Sequence, residues 1–188
     1  MPPSDLTDAL TDVVTRLEVV GVDYMLTGSG AGSLYGLMRS TAGFDIVLDL
    51  LHEQVAPLVE AFCGAYYIEP DAVFDAVERR YMFNVIPLNG GMKTDLIILR
   101  DEPFDRAAFA RRRRVDWYGT PVWTISPADL VLSKLRWCQI THSDQQLADV
   151  RAIMAGGRVS EDDDFRGWIR RLQLQDLLDA SRSTRHDA

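Results

Sequence analysis

Two nearby segments are the most informative part of the sequence: Met25-Leu26-Thr27-Gly28-Ser29-Gly30 and, after a spacer, Phe44-Asp45-Ile46-Val47-Leu48-Asp49. Strands are predicted for Asp23–Thr27 and Phe44–Leu50, because both runs are dominated by apolar side chains. Between them Gly28 opens a helix, since glycine tolerates the tight turn that leads from a strand into a helix. The N-terminus of that helix presents backbone N–H groups, which suit a phosphate.

The rest of the chain predicts an α/β (α+β) fold, with a mixed sheet flanked by helices and a C-terminal helical part. Asn89-Gly90-Gly91 between two apolar runs predicts a hairpin, because these residues tolerate positive φ, and Gly119-Thr120 marks a second one. Ser126-Pro127 combines an N-cap with a proline in the first helical turn, and the pattern beyond it is helical. The predicted division is a core over residues 1–125, a helical part over 126–180 and a flexible tail over 181–188.

Composition limits the classes of protein that fit. The chain has 188 residues, of which 47% are hydrophobic, enough for a buried core. It contains no apolar run of about 18 residues and begins without a basic, apolar leader, so we expect a cytoplasmic protein that does not contact a membrane. Cys63 and Cys138 fit no metal-ligand spacing, and we expect both to be buried, reduced thiols.

The charge of the chain is unevenly distributed. A net charge of −8 argues against indiscriminate binding of nucleic acid. Arg111–Arg114 nevertheless forms a basic cluster. It is either the solvated end of a helix, favoured there by the helix dipole, or a rim that binds the phosphates of RNA or a nucleotide.

Two aspartates are the candidate metal ligands. Asp45 interrupts an apolar strand, and Asp95 lies in the apolar strand that follows the Asn89-Gly90-Gly91 hairpin. A carboxylate in such a strand needs a partner or a metal. We therefore predict that Asp45 and Asp95 hold a divalent ion, with a strand-end acid paired to Lys93 or an arginine as the alternative for Asp95. Asp49 lies about 13 Å along the same strand, and we expect it to cap the next helix.

The Gly-Ser turn and the acidic strand resemble the signature of the nucleotidyltransferase superfamily (polymerase β-like). That signature reads apolar, Gly, Gly or Ser, a spacer, then Asp, apolar, Asp or Glu, apolar. The resemblance implies that Gly28 and Ser29 hold the triphosphate of an NTP on Mg²⁺ (or Mn²⁺). It also places Gly43 where the first catalytic aspartate stands, which implies impaired activity. Lys93 would balance the triphosphate charge; Arg39 would do the same or is a plain surface arginine.

A second motif lies in the helical part, Ser126-Pro127-Ala128-Asp129-Leu130 followed by Lys134-Leu135 and, later, Asp149. It resembles the distal motif of bacterial nucleotidyltransferases related to the AbiEii and MenT toxins. The resemblance implies that Lys134 is a phosphate-binding or catalytic lysine and that Asp149 is its acidic partner. The alternative is a lysine at the helix edge that extends its ammonium into solvent.

These features together predict an enzyme that transfers NMP from an NTP to an acceptor. The resemblance implies that the acceptor is tRNA and that the protein is a toxin of a toxin–antitoxin or phage-defence system, with a cognate antitoxin. One alternative is a protein-adenylylating enzyme. Another is an inactive module that binds a nucleotide or a partner, as an antitoxin does.

Overall fold

A computed structural model of the chain describes residues 4–38 and 43–183. The α-helices in these ranges are α1 (Ser4–Val20), α2 (Gly28–Leu34), α3 (Val55–Phe62), α4 (Pro70–Arg79), α5 (Pro103–Ala110), α6 (Pro127–Thr141), α7 (Asp144–Ala155), α8 (Asp163–Arg171) and α9 (Gln175–Arg182). The strands are β1 (Asp23–Thr27), β2 (Gly43–Asp49), β3 (Tyr66–Tyr67), β4 (Met82–Pro87), β5 (Lys93–Ile98), β6 (Arg113–Trp117) and β7 (Thr120–Thr124). A 3-10 turn at His52–Gln54 precedes α3. No helix within the described ranges is long and apolar enough to cross a membrane.

The strands form one mixed sheet in the order β3-β4-β5-β2-β1-β7-β6. β2 pairs with β5 and β1 with β7 in parallel, while the other neighbours are antiparallel. Both predicted hairpins are present, β4–β5 and β6–β7. Gly90 and Gly91 have φ of 82° and 136° in the first turn, a conformation that favours glycine. The predicted α/β fold is therefore confirmed.

Strand β2 has one face toward the apolar core and the other toward the candidate site. Phe44, Ile46 and Leu48 are buried, and Phe44 packs edge-to-face on Trp117 at a centroid distance of 6.1 Å. The alternate residues of β2, which include Asp45, point to the opposite face of the sheet and are only partly buried. The apolar core thus fixes the direction in which Asp45 projects.

The described residues form two compact units. One contains residues 4–30 and 43–125, and with them the sheet; the other contains residues 31–38 and 126–183. In the second unit Ser126 caps α6 as predicted, because its Oγ accepts a hydrogen bond of 3.1 Å from the Asp129 amide. The second unit also contains α9, which the sequence pattern does not predict.

The structure differs from the sequence expectations at three places. Ser181 and Arg182 belong to α9, and residues 184–188 of the predicted tail lie outside the described ranges. In the basic cluster, Arg111 lies at the C-terminus of α5, whereas Arg113 and Arg114 begin β6. Cys63 is exposed, because it follows the last turn of α3, whereas Cys138 is buried as expected; both are free thiols.

A polar cluster joins α1 to the far edge of the sheet. Asp12 accepts a hydrogen bond of 2.7 Å from the Tyr66 hydroxyl and one of 2.8 Å from Arg16 Nε. The Arg16 guanidinium also donates to the Ala61 carbonyl and lies 5.3 Å from the centre of the Tyr66 ring. Burial opposes ionisation of Asp12, but the bonds from Arg16 and Tyr66 outweigh it and hold the pKa of Asp12 below its ordinary value.

Asp12→Asn is expected to lower the free energy of unfolding by about 1 kcal/mol at pH 7, a modest effect because the carboxylate is almost half exposed. The pKa of Asp12 is depressed in the folded state, so its stabilisation is present above the ordinary carboxyl pKa and is lost as the pH falls through the folded value. Urea unfolding at pH 7 and pH 3 measures this difference, which should shrink at pH 3. Asp75→Asn, in an exposed pair with Arg79, is the matched control and should change little at either pH. An Asp12→Asn effect that is equal at both pH values would contradict the assignment.

Candidate functional site

Asp45 and Asp95 lie side by side on two parallel strands. The register of β2 on β5 pairs Asp45 directly with Asp95. In a sheet such neighbours project from the same face, and the strands are about 4.8 Å apart. Both residues are partly buried. The fold thus brings together two carboxylates that are separated by 50 residues in the sequence.

The two aspartates are the centre of a polar row that crosses four strands. Thr27 of β1 pairs with Asp45, and Asn84 of β4 pairs with Asp95. The Asn84 amide donates to Asp95 Oδ1 at 3.2 Å, and Lys93 Nζ lies 2.9 Å from the same oxygen. The ion pair with Lys93 that the sequence left open for Asp95 is therefore present. It does not exclude Asp95 from a ligand site, because its side chain is still 21% exposed.

Gly28 lies directly against Asp45. Its φ is +63°, and a Cβ built on it would be only 2.0 Å from Asp45 Oδ2. Any other residue would collide with the carboxylate as well as strain the backbone. The Gly28-Ser29 turn thus lets the chain pass close to Asp45.

Gly43 faces Lys93 across the same strand pair. A Cβ at Gly43 would be 2.6 Å from the backbone carbonyl oxygen of Lys93. Real Cβ atoms essentially never approach a backbone atom so closely, so an aspartate at this position requires the strand pair to shift. This position therefore has no carboxylate, and an aspartate there would not fit the observed strand spacing.

The neighbouring Asp45 and Asp95 carboxylates are the residues that could hold a divalent ion. Among the described residues no group of three or more His, Cys, Asp or Glu side chains could hold a metal. Magnesium is commonly bound by one or two carboxylates together with substrate phosphates and water. Asp45 and Asp95 meet that requirement for a single ion, whereas a pair of ions would need a further carboxylate.

Lys134 and Asp149 form a buried ion pair within the second unit. Lys134 Nζ lies 2.7 Å from Asp149 Oδ2 and donates to Gln146 Oε1 at 3.3 Å. Gln145 donates to the other carboxylate oxygen at 2.9 Å. The side chains are 7% and 0% exposed, so Lys134 does not extend into solvent. The contacts join α6 to α7, and a catalytic role for the pair stays a prediction.

The remaining candidate cations are Arg39 and the basic cluster Arg111–Arg114. Arg39 lies outside the described residues. In the basic cluster, Arg112 pairs with Asp23 at 2.8 Å and its guanidinium lies 4.3 Å from the centre of the Phe109 ring. Arg114 lies 3.6 Å from Glu18. Acidic partners thus offset part of this cluster, which weakens the interpretation of the whole cluster as a phosphate rim.

Asp49 does not cap the helix that follows β2. Both of its carboxylate oxygens accept from Arg106 Nη1 at 3.0 Å. Arg106 also binds Asp101, which in turn pairs with Arg80 at 2.7 Å. The network lies at the end of β2 away from the polar row. Asp49 therefore stabilises the end of the strand and takes no part in the carboxylate pair.

Comparison with solved structures identifies the fold of the chain. No protein-family model matches the sequence, and no curated protein matches it. Solved structures do match. An antigenic nucleotidyltransferase-like protein from Paracoccidioides brasiliensis aligns with a TM-score of 0.55 at 16% identity, over 96% of this chain and 94% of that one. A putative nucleotidyltransferase from Thermotoga maritima aligns with a TM-score of 0.56 at 15% identity, over 77% and 92% of the two chains.

A third similar structure is the antibiotic-resistance factor ANT(2'')-Ia. Its crystal structure in complex with adenylyl-2''-tobramycin aligns with a TM-score of 0.53 at 14% identity, over 94% of this chain and 97% of that one. At these identities the likeness shows the fold. The chain therefore has the fold of nucleotidyltransferase-like proteins, and its carboxylate pair lies on that fold.

Proposed function

We propose that the chain binds a nucleoside triphosphate at the polar row and transfers its nucleotidyl group to an acceptor hydroxyl, with release of pyrophosphate. The observation that carries the proposal is the register of Asp45 beside Asp95, with the Gly28 turn against Asp45. The nucleotidyltransferase-like fold of the chain supports it.

The residues of the row have separate proposed roles. Asp45 and Asp95 would hold one Mg²⁺ (or Mn²⁺), which when bound supplies positive charge to the phosphoryl group that is transferred. Gly28 and Ser29 would let the triphosphate approach the backbone closely. Lys93 supplies a further positive charge beside Asp95, and Arg39 is proposed to do the same.

Turnover is proposed to be slow. Phosphoryl transfer depends almost entirely on positioning and on charge stabilisation, so each missing ligand costs rate. Gly43 contributes no carboxylate, and the tight approach to the Lys93 carbonyl leaves no space for one. The same observation supports a second candidate, a module that binds nucleotide without transfer.

The proposed acceptor is tRNA, in a toxin whose cognate antitoxin would be a partner protein in the cytoplasm. The support is the likeness of the Ser126–Leu135 motif to the AbiEii and MenT toxins. The structural likeness to ANT(2'')-Ia, which was solved with adenylyl-2''-tobramycin, supports a small hydroxylated acceptor as the alternative. A protein hydroxyl is the third acceptor to be tested.

The test is transfer of label from each of the four α-³²P-labelled NTPs with Mg²⁺, with total tRNA, tobramycin or the protein alone as acceptor. Label is expected on tRNA, and Asp45→Asn is expected to reduce the rate by about a hundredfold or more. Asp49→Asn is the matched control, because Asp49 lies on the same strand and face but binds Arg106. Absence of transfer to every acceptor, in a protein that binds the triphosphate, would favour the binding module.

A further inference from the structure

Lys93 places an ammonium beside the Asp95 carboxylate. Its ammonium lies 2.9 Å from Asp95 Oδ1, the oxygen that also accepts from Asn84 at 3.2 Å. The Lys93 side chain is 48% exposed, so the ammonium is held by the row and still faces solvent. A ligand that contacts Asp95 therefore also lies close to the Lys93 ammonium.

Strand pairing places this lysine opposite the missing carboxylate. Lys93 is the register partner of Gly43, just as Asp95 is the partner of Asp45. The carbonyl oxygen of Lys93 lies only 2.6 Å from the position that a Cβ of residue 43 would occupy. The two strands are thus packed closely at Gly43. This pair of positions has a glycine on β2 and a lysine on β5.

The charges of the site follow from this arrangement. The Lys93 ammonium offsets the negative charge of the Asp95 carboxylate. A site with that balance attracts a second divalent ion far less than a site with three carboxylates, because each added cation must find anionic ligands. An ammonium is also a common point-charge ligand of phosphate.

We propose that Lys93 takes the place of a second metal ion, so that the chain binds a triphosphate with a single divalent cation and the Lys93 ammonium on the phosphates. The proposal rests on the proposed function, since it concerns the same site. The close packing of β2 on β5 then explains why residue 43 is a glycine. An aspartate at this position is expected not to create a second metal site.

Binding of tripolyphosphate in the presence of Mn²⁺ tests the proposal without a nucleotide or a turnover assay. Equilibrium dialysis counts the bound triphosphate, and electron paramagnetic resonance counts the bound Mn²⁺. The wild type is expected to bind one Mn²⁺ per bound triphosphate. Lys93→Met is expected to bind tripolyphosphate about ten- to a hundredfold more weakly, through loss of a charge-assisted bond, and Lys93→Arg only a few-fold more weakly. Arg79→Met removes an exposed cation on α4 and should behave as the wild type.

The outcomes separate the two proposals. Two Mn²⁺ per chain in the wild type, or unchanged binding by Lys93→Met, would overturn the role of Lys93 and leave nucleotide binding intact. A folded Gly43→Asp protein with two Mn²⁺ would overturn it as well. No binding of tripolyphosphate by the wild type at any Mn²⁺ concentration would overturn the proposed function, and the role of Lys93 with it.

Chemical labelling gives a second measurement, because the chain has only two lysines, Lys93 and Lys134. Lys134 is 6% exposed and forms an ion pair with Asp149. Of the two lysines, Lys93 should therefore be the one that is modified by pyridoxal phosphate followed by borohydride. Tripolyphosphate with Mg²⁺ is expected to protect Lys93 and to leave labelling of the N-terminal amine unchanged. Labelling of Lys93 that persists at saturating tripolyphosphate would overturn the contact of its ammonium with the phosphates.

Discussion

Asp149→Ala is expected to lower the free energy of unfolding of the helical unit by about 3–5 kcal/mol, because it leaves the Lys134 ammonium buried without its counter-ion. Lys134→Met should have a similar effect, since it leaves the fully buried Asp149 carboxylate without the ammonium. Urea unfolding, followed by circular dichroism and tryptophan fluorescence, measures both. The double variant Lys134→Met/Asp149→Leu should recover much of the loss, because an apolar pair removes both buried charges.

An ion pair on the surface of the same unit is the control for this prediction. Arg182 and Glu161 are 2.6 Å apart, but their side chains are 43% and 38% exposed. Arg182→Ala should therefore cost at most about 1 kcal/mol. If Asp149→Ala unfolds like the wild type and loses only nucleotidyl transfer, the pair is catalytic rather than structural, as the likeness to the AbiEii and MenT toxins implies.

Gly28→Ala is expected to destroy the nucleotide site. The new methyl group would lie 2.0 Å from Asp45 Oδ2, so either Asp45 leaves its position or the turn moves. The left-handed φ of +63° adds about 1–2 kcal/mol of strain for a residue with a Cβ. We expect loss of tripolyphosphate binding, measured by equilibrium dialysis, and a loss of stability, measured in urea, that is greater than strain alone explains.

Gly64→Ala separates backbone strain from collision. Gly64 also has a positive φ, +80°, but a Cβ there meets no atom within 4 Å. This variant should lose only the strain energy of about 1–2 kcal/mol and should bind tripolyphosphate normally. Equal stability and equal binding in the two alanine variants would show that Gly28 does not control the position of Asp45.

Local sequence signals predict much of this fold. β1 has the predicted bounds, Asp23–Thr27, because its apolar content distinguishes it from its neighbours. The Asn89-Gly90-Gly91 turn predicts the hairpin that carries Asp95. Helix α9 is missed because it has only eight residues, and a helix this short depends on tertiary packing, here on the burial of Leu178 and of Leu174 at its N-cap.

The geometry of the site is harder to predict from the sequence, because it depends on the pairing of strands that are distant in the sequence. Asp45 and Asp95 are recognisable as acids in apolar strands, but only the register of β2 on β5 sets them side by side. The same register produces the approach of Gly43 to the Lys93 carbonyl, which no local pattern reveals. Asp49 looks like a helix cap because its partner, Arg106, is 57 residues away.

Calorimetric titration with each of the four NTPs in Mg²⁺ measures whether Asp45 and Asp95 hold a triphosphate through a divalent ion. We expect the wild type to bind at least one NTP in a Mg²⁺-dependent manner, and we expect Asp45→Asn but not Asp49→Asn to lose that binding. A folded wild type that binds none of the four nucleotides, or an Asp45→Asn variant that binds as tightly as the wild type, would show that the carboxylate pair is not a nucleotide site.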